Sequence, residues 1–354
     1  MTAITGSGIA ASGEVKLDGW KLFAPIPDRV GFGGMFAGVL GGRLVAGGGS
    51  QFPEKPLWLK GEKKFSDRIF TLASPDAKWS ESATHLPVPV GGAVSVASAD
   101  AIYIVGGGNA TECFRSGWEM RAQGEGFAFT ALPELPVASC YGAAAIMAGR
   151  LYVVGGVDTP TSKTPNVTAW SLALSPAERK SGWRREPDLP GPGVFATAAA
   201  SEGNNLYLLG GIGFDAAGKP IPAKAVYRLV AGGKNWEKLA DLPEPRVGIS
   251  SPCPLLGGKG FFLVGGYAEV FPGAPREHPG FSVQTYYFDP ATQRYANGPV
   301  LPHAPVPDRD SPSDIGPAPM IGAPCVVWRD HVVFVGGEVR SSVRTPTVIA
   351  WPLR

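Results

Sequence analysis

One pattern recurs six times along this 354-residue chain: an apolar, β-branched run that ends in a pair of glycines. The copies read RLVAGG, IYIVGG, LYVVGG, LYLLGG, FFLVGG and VVFVGG, with first glycines at Gly47, Gly106, Gly155, Gly210, Gly265 and Gly336. Their intervals, 49 to 71 residues, mark an internal repeat with loops of unequal length. A short, continuous run of Val, Leu, Ile, Tyr and Phe is the pattern of a strand buried on both faces. Glycines at its end suit crowding near a common axis and a backbone with positive φ.

Two further elements travel with each copy. Upstream lie small, Gly- and Ala-rich segments such as GGMFAGVL, GAVSVAS, YGAAAIM and VFATAAAS, narrow enough for an innermost strand where blades converge. Downstream, an aromatic residue precedes Leu-Pro: Trp79 before HLP, Phe129 before ALP, Trp183 and Trp236 before DLP, Tyr295 before VLP. The sixth aromatic, Trp20 with KLFAPIP, stands near the N-terminus, while the C-terminal repeat ends after TVIAWPL with no outer strand of its own. The expected fold is therefore all-β, a six-bladed kelch-type β-propeller whose last blade is completed by the N-terminal strand, leaving no open ring edge. Residues 1–14 are expected to be a flexible tail and 15–354 a single propeller domain.

Composition agrees and narrows the function classes. With 49 Gly and 35 Pro the chain has too many breakers for long helices, yet 44% hydrophobic residues are too many for a disordered chain. The formal charge is only +2 and the basic residues are dispersed, so no nucleic-acid partner is expected. No apolar run reaches membrane-spanning length, and no membrane association is expected. Residues 1–14 contain neither a basic nor an apolar signal region, which leaves periplasmic (with a leader absent from this sequence) and cytoplasmic locations both open. Cys113, Cys140, Cys253 and Cys325 lack metal-ligand spacing and are expected to be buried thiols; His85, His278, His303 and His331 are expected on surfaces or turns. No metal site follows. Nucleophilic-serine, Walker and dinucleotide motifs are absent as well.

In a propeller, ligands bind at the axis, among loops that here follow each glycine pair and each Leu-Pro. The residues after the six pairs are Gly49, Gly108, Val157, Ile212, Tyr267 and Glu338. Only the last is charged, and GGEVRSSVRT places Arg340 and Arg344 close behind it. Two readings stand: a loop ion pair of little consequence, or a carboxylate base beside a cation that fixes an anionic substrate. Arg29 in PIPDRVG, Arg246 in LPEPRVG and the loop carrying Asp308, Arg309 and Asp310 are turn residues or weaker substrate contacts. The long insertions QFPEKPLWLKGEKKF and YAEVFPGAPREHPGF are candidate walls or lids.

Over residues 15–354 the chain resembles the cyclically permuted mutarotase family, kelch-repeat relatives of N-acetylneuraminate epimerase. The segments that carry the resemblance are GGMFAGVLGGRLVAGGGSQFPEKPLWLKGEKKFSDRIFTL, TYYFDPATQRY and above all GGEVRSSVRT. It implies a cofactor-free isomerase that interconverts the α and β anomers of a sialic acid, a small sugar acid. Glu338 would be the base and Arg344 the accompanying cation, followed by Thr345; Arg340 is a weaker candidate for that cation. The alternative is a non-catalytic kelch propeller that binds carbohydrate or protein, since one fold hosts many functions. A copper oxidase on the same fold is disfavoured by the scattered histidines. The natural sugar and the oligomeric state are not specified by the sequence.

Overall fold

The computed structural model describes residues 16–304, 310 and 316–353; the expected N-terminal tail, Asp308 and Arg309 lie outside them. Six antiparallel sheets form the blades, five of four strands and the first of five, with innermost strands Gly33–Leu40, Val94–Ala97, Ala143–Met147, Ala198–Glu202, Leu255–Leu256 and Cys325–Trp328. Each second strand is one of the apolar runs. Their alternation explains why every position is apolar: along His331–Val335, Val332 and Phe334 face the core shared with blade 5, while Val333 and Val335 face the core shared with blade 1. Among the described residues six large hydrophobic clusters lie one between each pair of neighbouring blades, and a small seventh is formed by Cys113, Cys140 and Val157. Both faces of a blade are buried, as a radial stack of sheets requires.

The glycine pairs join the blades. The N–H of the second glycine in each pair donates to a backbone carbonyl at the start of the next blade: Gly49 to Val90, Gly107 to Ser139, Gly156 to Val194, Gly211 to Arg246, Gly266 to Met320 and Gly337 to Phe32, at 2.7–3.2 Å. The first glycine lies against the same oxygen, and a Cβ there would approach it to 3.0 Å or less in all six copies. Both glycines have positive φ throughout. Crowding by the neighbouring blade's carbonyl, rather than by the axis itself, is what excludes a side chain.

These bonds correct the alignment of the first repeat. In RLVAGGGS the structural pair is Gly48–Gly49, because Gly49 makes the inter-blade bond and Gly47 lacks the positive φ. The residue after it is therefore Ser50, which pairs with Gly33 as Gly108, Val157, Ile212, Tyr267 and Glu338 pair with Gly91, Cys140, Phe195, Val247 and Ile321. A three-glycine run leaves the register ambiguous in sequence. Similarly, the second blade's counterpart of Leu86, Leu189 and Leu242 is Leu135, whose N–H donates to Arg115 O, although Leu132 is buried as well.

A second ring is formed at or ahead of the start of each innermost strand. Gly34, Gly92, Tyr141, Ala196, Gly248 and Gly322 all have φ between 47° and 77°. Each of the first five donates its N–H to the counterpart in the preceding blade, at 2.7–3.0 Å. Between blades 5 and 6 a Ser251–Pro324 bridge takes over.

The N-terminal strand closes the ring as expected. Lys21–Phe23 pairs antiparallel with Val348–Pro352, with Phe23 opposite Val348. Trp20 enters the core between blades 5 and 6 and donates its indole N–H to Val300 O at 2.9 Å; Phe23 and Ile26 enter the core between blades 6 and 1. The other repeat aromatics do the same on the outer rim: Trp79, Trp183 and Trp236 donate to Ala24, Pro133 and Pro187, and the Tyr295 hydroxyl to Ala240. Phe129 has no donor.

The four cysteines are buried and free. His331, expected on the surface, is 3% exposed: it opens a strand of blade 6, packs edge-on to Phe23 and contacts Asp330. Its ring fills the space under the closing strand.

Deleting residues 16–25 is expected to abolish cooperative unfolding near the wild-type temperature, and Trp20→Ala to cost about 3–5 kcal/mol, both read by circular dichroism melts. Two substitutions of opposite sign test the glycine and axial rings. Gly210→Ala is expected to destabilise by at least about 1–2 kcal/mol, the left-handed strain alone, with the Arg246 carbonyl clash added. Ala196→Gly is expected to raise the melting temperature despite the added glycine entropy.

Candidate functional site

A cavity of about 310 Å³ sits on the axis, lined by residues of all six blades, including Gly34, Gly92, Tyr141, Ala196, Gly248 and Gly322 of the inner ring. Its walls are largely apolar. The charged residues that line it are Lys63, Glu338 and Arg344.

Glu338 is held from both ends. Its backbone exchanges two hydrogen bonds with Ile321, each 2.8 Å, which fixes it at the cavity edge. Beyond it the chain turns through Ser342, at φ 64°, so that Glu338–Arg340 and Val343–Arg344 form a small hairpin with Glu338 opposite Arg344. One carboxylate oxygen accepts from Arg344 Nη1 and the other from the Ser342 N–H at 3.0 Å. The Glu338 side chain is still 23% exposed and lines the cavity, while the Arg344 side chain is only 6% exposed. A half-open carboxylate on a buried cation has a fixed orientation and an accessible lone pair, the geometry a proton acceptor needs.

Arg344 is itself clamped by blade 1. Its Nε donates to Ser50 O at 3.1 Å, and its guanidinium lies 5.6 Å from the Phe52 ring centre. Gly33 makes room: a Cβ there would meet Arg344 Cδ and Nε at 2.8 Å. The pair therefore spans the seam between the last and first blades.

Around this pair are groups that sequence reasoning did not single out. Lys63, from the first-blade insertion, lies over the Phe65 ring and 3.4 Å from the Tyr141 hydroxyl. Burial, then the nearby Arg344, pull its amino group below the usual lysine range. Burial pushes the Tyr141 and Tyr267 phenols up to about 12, so both are protonated donors at neutral pH. Tyr141 is 37% exposed, but into a narrow cavity where protein surrounds it. A second cavity, about 220 Å³, is walled by the blade-5 insertion and shares Tyr267, Ile321 and Glu338 with the first. In it His278 meets Phe271 and Phe281 edge-on, and its pKa is lowered by burial. Both insertions thus form walls, and they meet at Asp310, which accepts from Trp58 of one and Arg276 of the other.

Of the expected site residues, Glu338 and Arg344 are together at the cavity. The other three arginines line neither cavity. Arg340 is buried beneath the Trp58 ring, 5.8 Å from its centre. Arg246 is buried on Glu244 and the Gly265 carbonyl, beside Tyr286. Arg29 is exposed and reaches Pro53 O at 3.4 Å. Thr345 is buried and its hydroxyl donates to that of Thr347. Among the described residues, no group of three or more His, Cys, Asp and Glu side chains is placed to hold a metal.

No family model matches the chain. It is 26% identical over 233 residues to an N-acetylneuraminate epimerase of Yersinia enterocolitica, an alignment covering 61% of this chain and 56% of that protein. The chain thus matches little more than half the length of this curated relative. A solved structure described as "Structure of YjhT" superposes on 91% of this chain and 95% of its own, with a TM-score of 0.64 and 16% identity, and shares the propeller fold. By sequence the chain is similar to this N-acetylneuraminate epimerase, and by fold it is a β-propeller like the solved structure.

Proposed function

We propose that the chain is a mutarotase that interconverts the α and β anomers of a sialic acid, with N-acetylneuraminate as the first substrate to test. The observation that carries this reading is the Glu338 carboxylate, locked by Arg344 and the Ser342 N–H yet open to an axial cavity at the small end of ligand-pocket sizes. The sequence likeness to an N-acetylneuraminate epimerase supports the choice of sugar.

The chemistry asks little of the protein. Glu338 takes the proton of the anomeric hydroxyl; the C–O bond to the ring oxygen breaks as that oxygen gains a proton from a cavity donor, a phenol or water. The open-chain ketone turns about its C–C bond and the ring closes by the reverse transfers, so Glu338 returns to its starting state. Arg344 keeps the carboxylate oriented while Ser50 and Phe52 keep Arg344 in place.

Glu338→Gln should stay folded, with a lowered melting temperature because the buried Arg344 loses its counter-charge, and lose about 10²- to 10⁴-fold of anomer-exchange activity, the usual worth of a positioned acid–base group. One-dimensional proton NMR of freshly released N-acetylneuraminate reads the exchange directly; a Gln variant as fast as wild type rules out the assignment. Arg344→Met should lower activity by at least about tenfold and also destabilise the fold, since it leaves a partly buried carboxylate without its cation.

A further inference from the structure

The charged groups around the axial cavity are not balanced. Arg344 and Glu338 neutralise each other, and Arg344 has two of its donor nitrogens committed, Nη1 to Glu338 and Nε to Ser50 O. Lys63 is the remaining cation. Its Nζ contacts the Tyr141 hydroxyl and the Phe65 ring, and among the described residues no carboxylate lies within 4.0 Å of it. An ammonium partly withdrawn from water against aromatic side chains, with the nearby Glu338 already engaged by Arg344, is costly, and that cost is relieved by an incoming anion.

Two features show that this arrangement is built. Tyr141 occupies the inner-ring position that is Gly in four blades and Ala in one, and it carries φ 57°, a conformation unfavourable for a bulky residue. Strain of this kind persists where surrounding structure enforces it, and clusters at functional sites. Its ring lies over Gly92, where a Cβ would meet Tyr141 Cε1 at 2.5 Å, so the neighbouring position is kept bare to seat it. Lys63 itself comes from an insertion after the first glycine pair, with Lys64–Phe65 pairing onto the blade-1 strand so that the segment is fixed rather than trailing.

We propose that Lys63, seated by Tyr141, is the specificity residue that binds the carboxylate of the sugar acid and selects acidic over neutral sugars. This rests on the mutarotase reading above and divides the labour of the site: Glu338 and Arg344 act at the anomeric hydroxyl, while Lys63 anchors the neighbouring carboxylate. It assigns substrate binding to a residue outside the hairpin that carries the base.

The test is anomer exchange measured on N-acetylneuraminate and on its methyl ester, which keeps the ring and removes the charge. Wild type is expected to show a KM for the acid about tenfold or more below that for the ester. Lys63→Met should raise the acid's KM about 10- to 100-fold, with kcat changed less than threefold and the ester's KM moved less than threefold; Lys63→Arg should restore most of the acid's affinity. An unchanged acid KM in Lys63→Met, or equal losses for acid and ester, overturns the proposal. If wild type accelerates no exchange, the mutarotase reading falls. Calorimetric titration with N-acetylneuraminate then decides the anchor alone: binding weakened by Lys63→Met supports it, and binding that is equal or undetectable in both proteins overturns it.

Discussion

The structure depends on a backbone hydrogen bond that crosses from one blade to the next, made six times by the second glycine of each pair. Because the first glycine lies against the acceptor oxygen, the blades approach more closely than any side chain would allow. That approach brings the two faces of each apolar strand into contact with both neighbours, so that each pair of adjacent sheets shares a buried cluster. It also sets the inner ring of left-handed residues, whose small side chains leave an open volume on the axis. The cavity is therefore a consequence of the way the blades are joined, and of the residues after the six pairs Ser50, Tyr267 and Glu338 reach its wall.

Such regularity makes departures informative. A ring of equivalent positions holds five small residues and one tyrosine, and another holds five uncharged residues and one glutamate. Both exceptions point into the same cavity, although they come from blades 3 and 6. Chemistry is placed on this fold by substitution at repeated positions, with the shared backbone geometry supplying the precision that the side chains need.

How much could be read from the chain alone follows from the same contrast. The blade count, the closing strand and Glu338 were legible because they are periodic or break a period at a position that can be numbered. The first repeat was misaligned by one residue, since in RLVAGGGS only the inter-blade bond tells which two of three glycines form the pair, and Ser50 was hidden as a result. Tyr141 carried a readable signal, an aromatic residue where sibling segments have Gly or Ala. Lys63 carried none: it sits in an insertion with no counterpart in other blades, and only tertiary structure brings it to the axis. Arg246 and Arg340 line neither cavity, for the opposite reason. Arginines in funnel loops have the right chemistry, but these two are spent on holding Glu244 and Trp58 against the scaffold.

The strand that closes the ring joins residues 325 positions apart, Phe23 and Val348. During synthesis, at about 5–20 residues per second, Lys21–Phe23 must wait on the order of tens of seconds for its partner to exist. Until then Trp20 and Phe23 have no core to enter, and the first five blades stand as an open arc with two raw ends. The Glu338–Arg344 pair is clamped across that same seam by Ser50 and Phe52. Organisation of the Glu338–Arg344 pair and completion of the ring are thus one event: a chain that has not closed has no blade 1 against which blade 6 can clamp that pair.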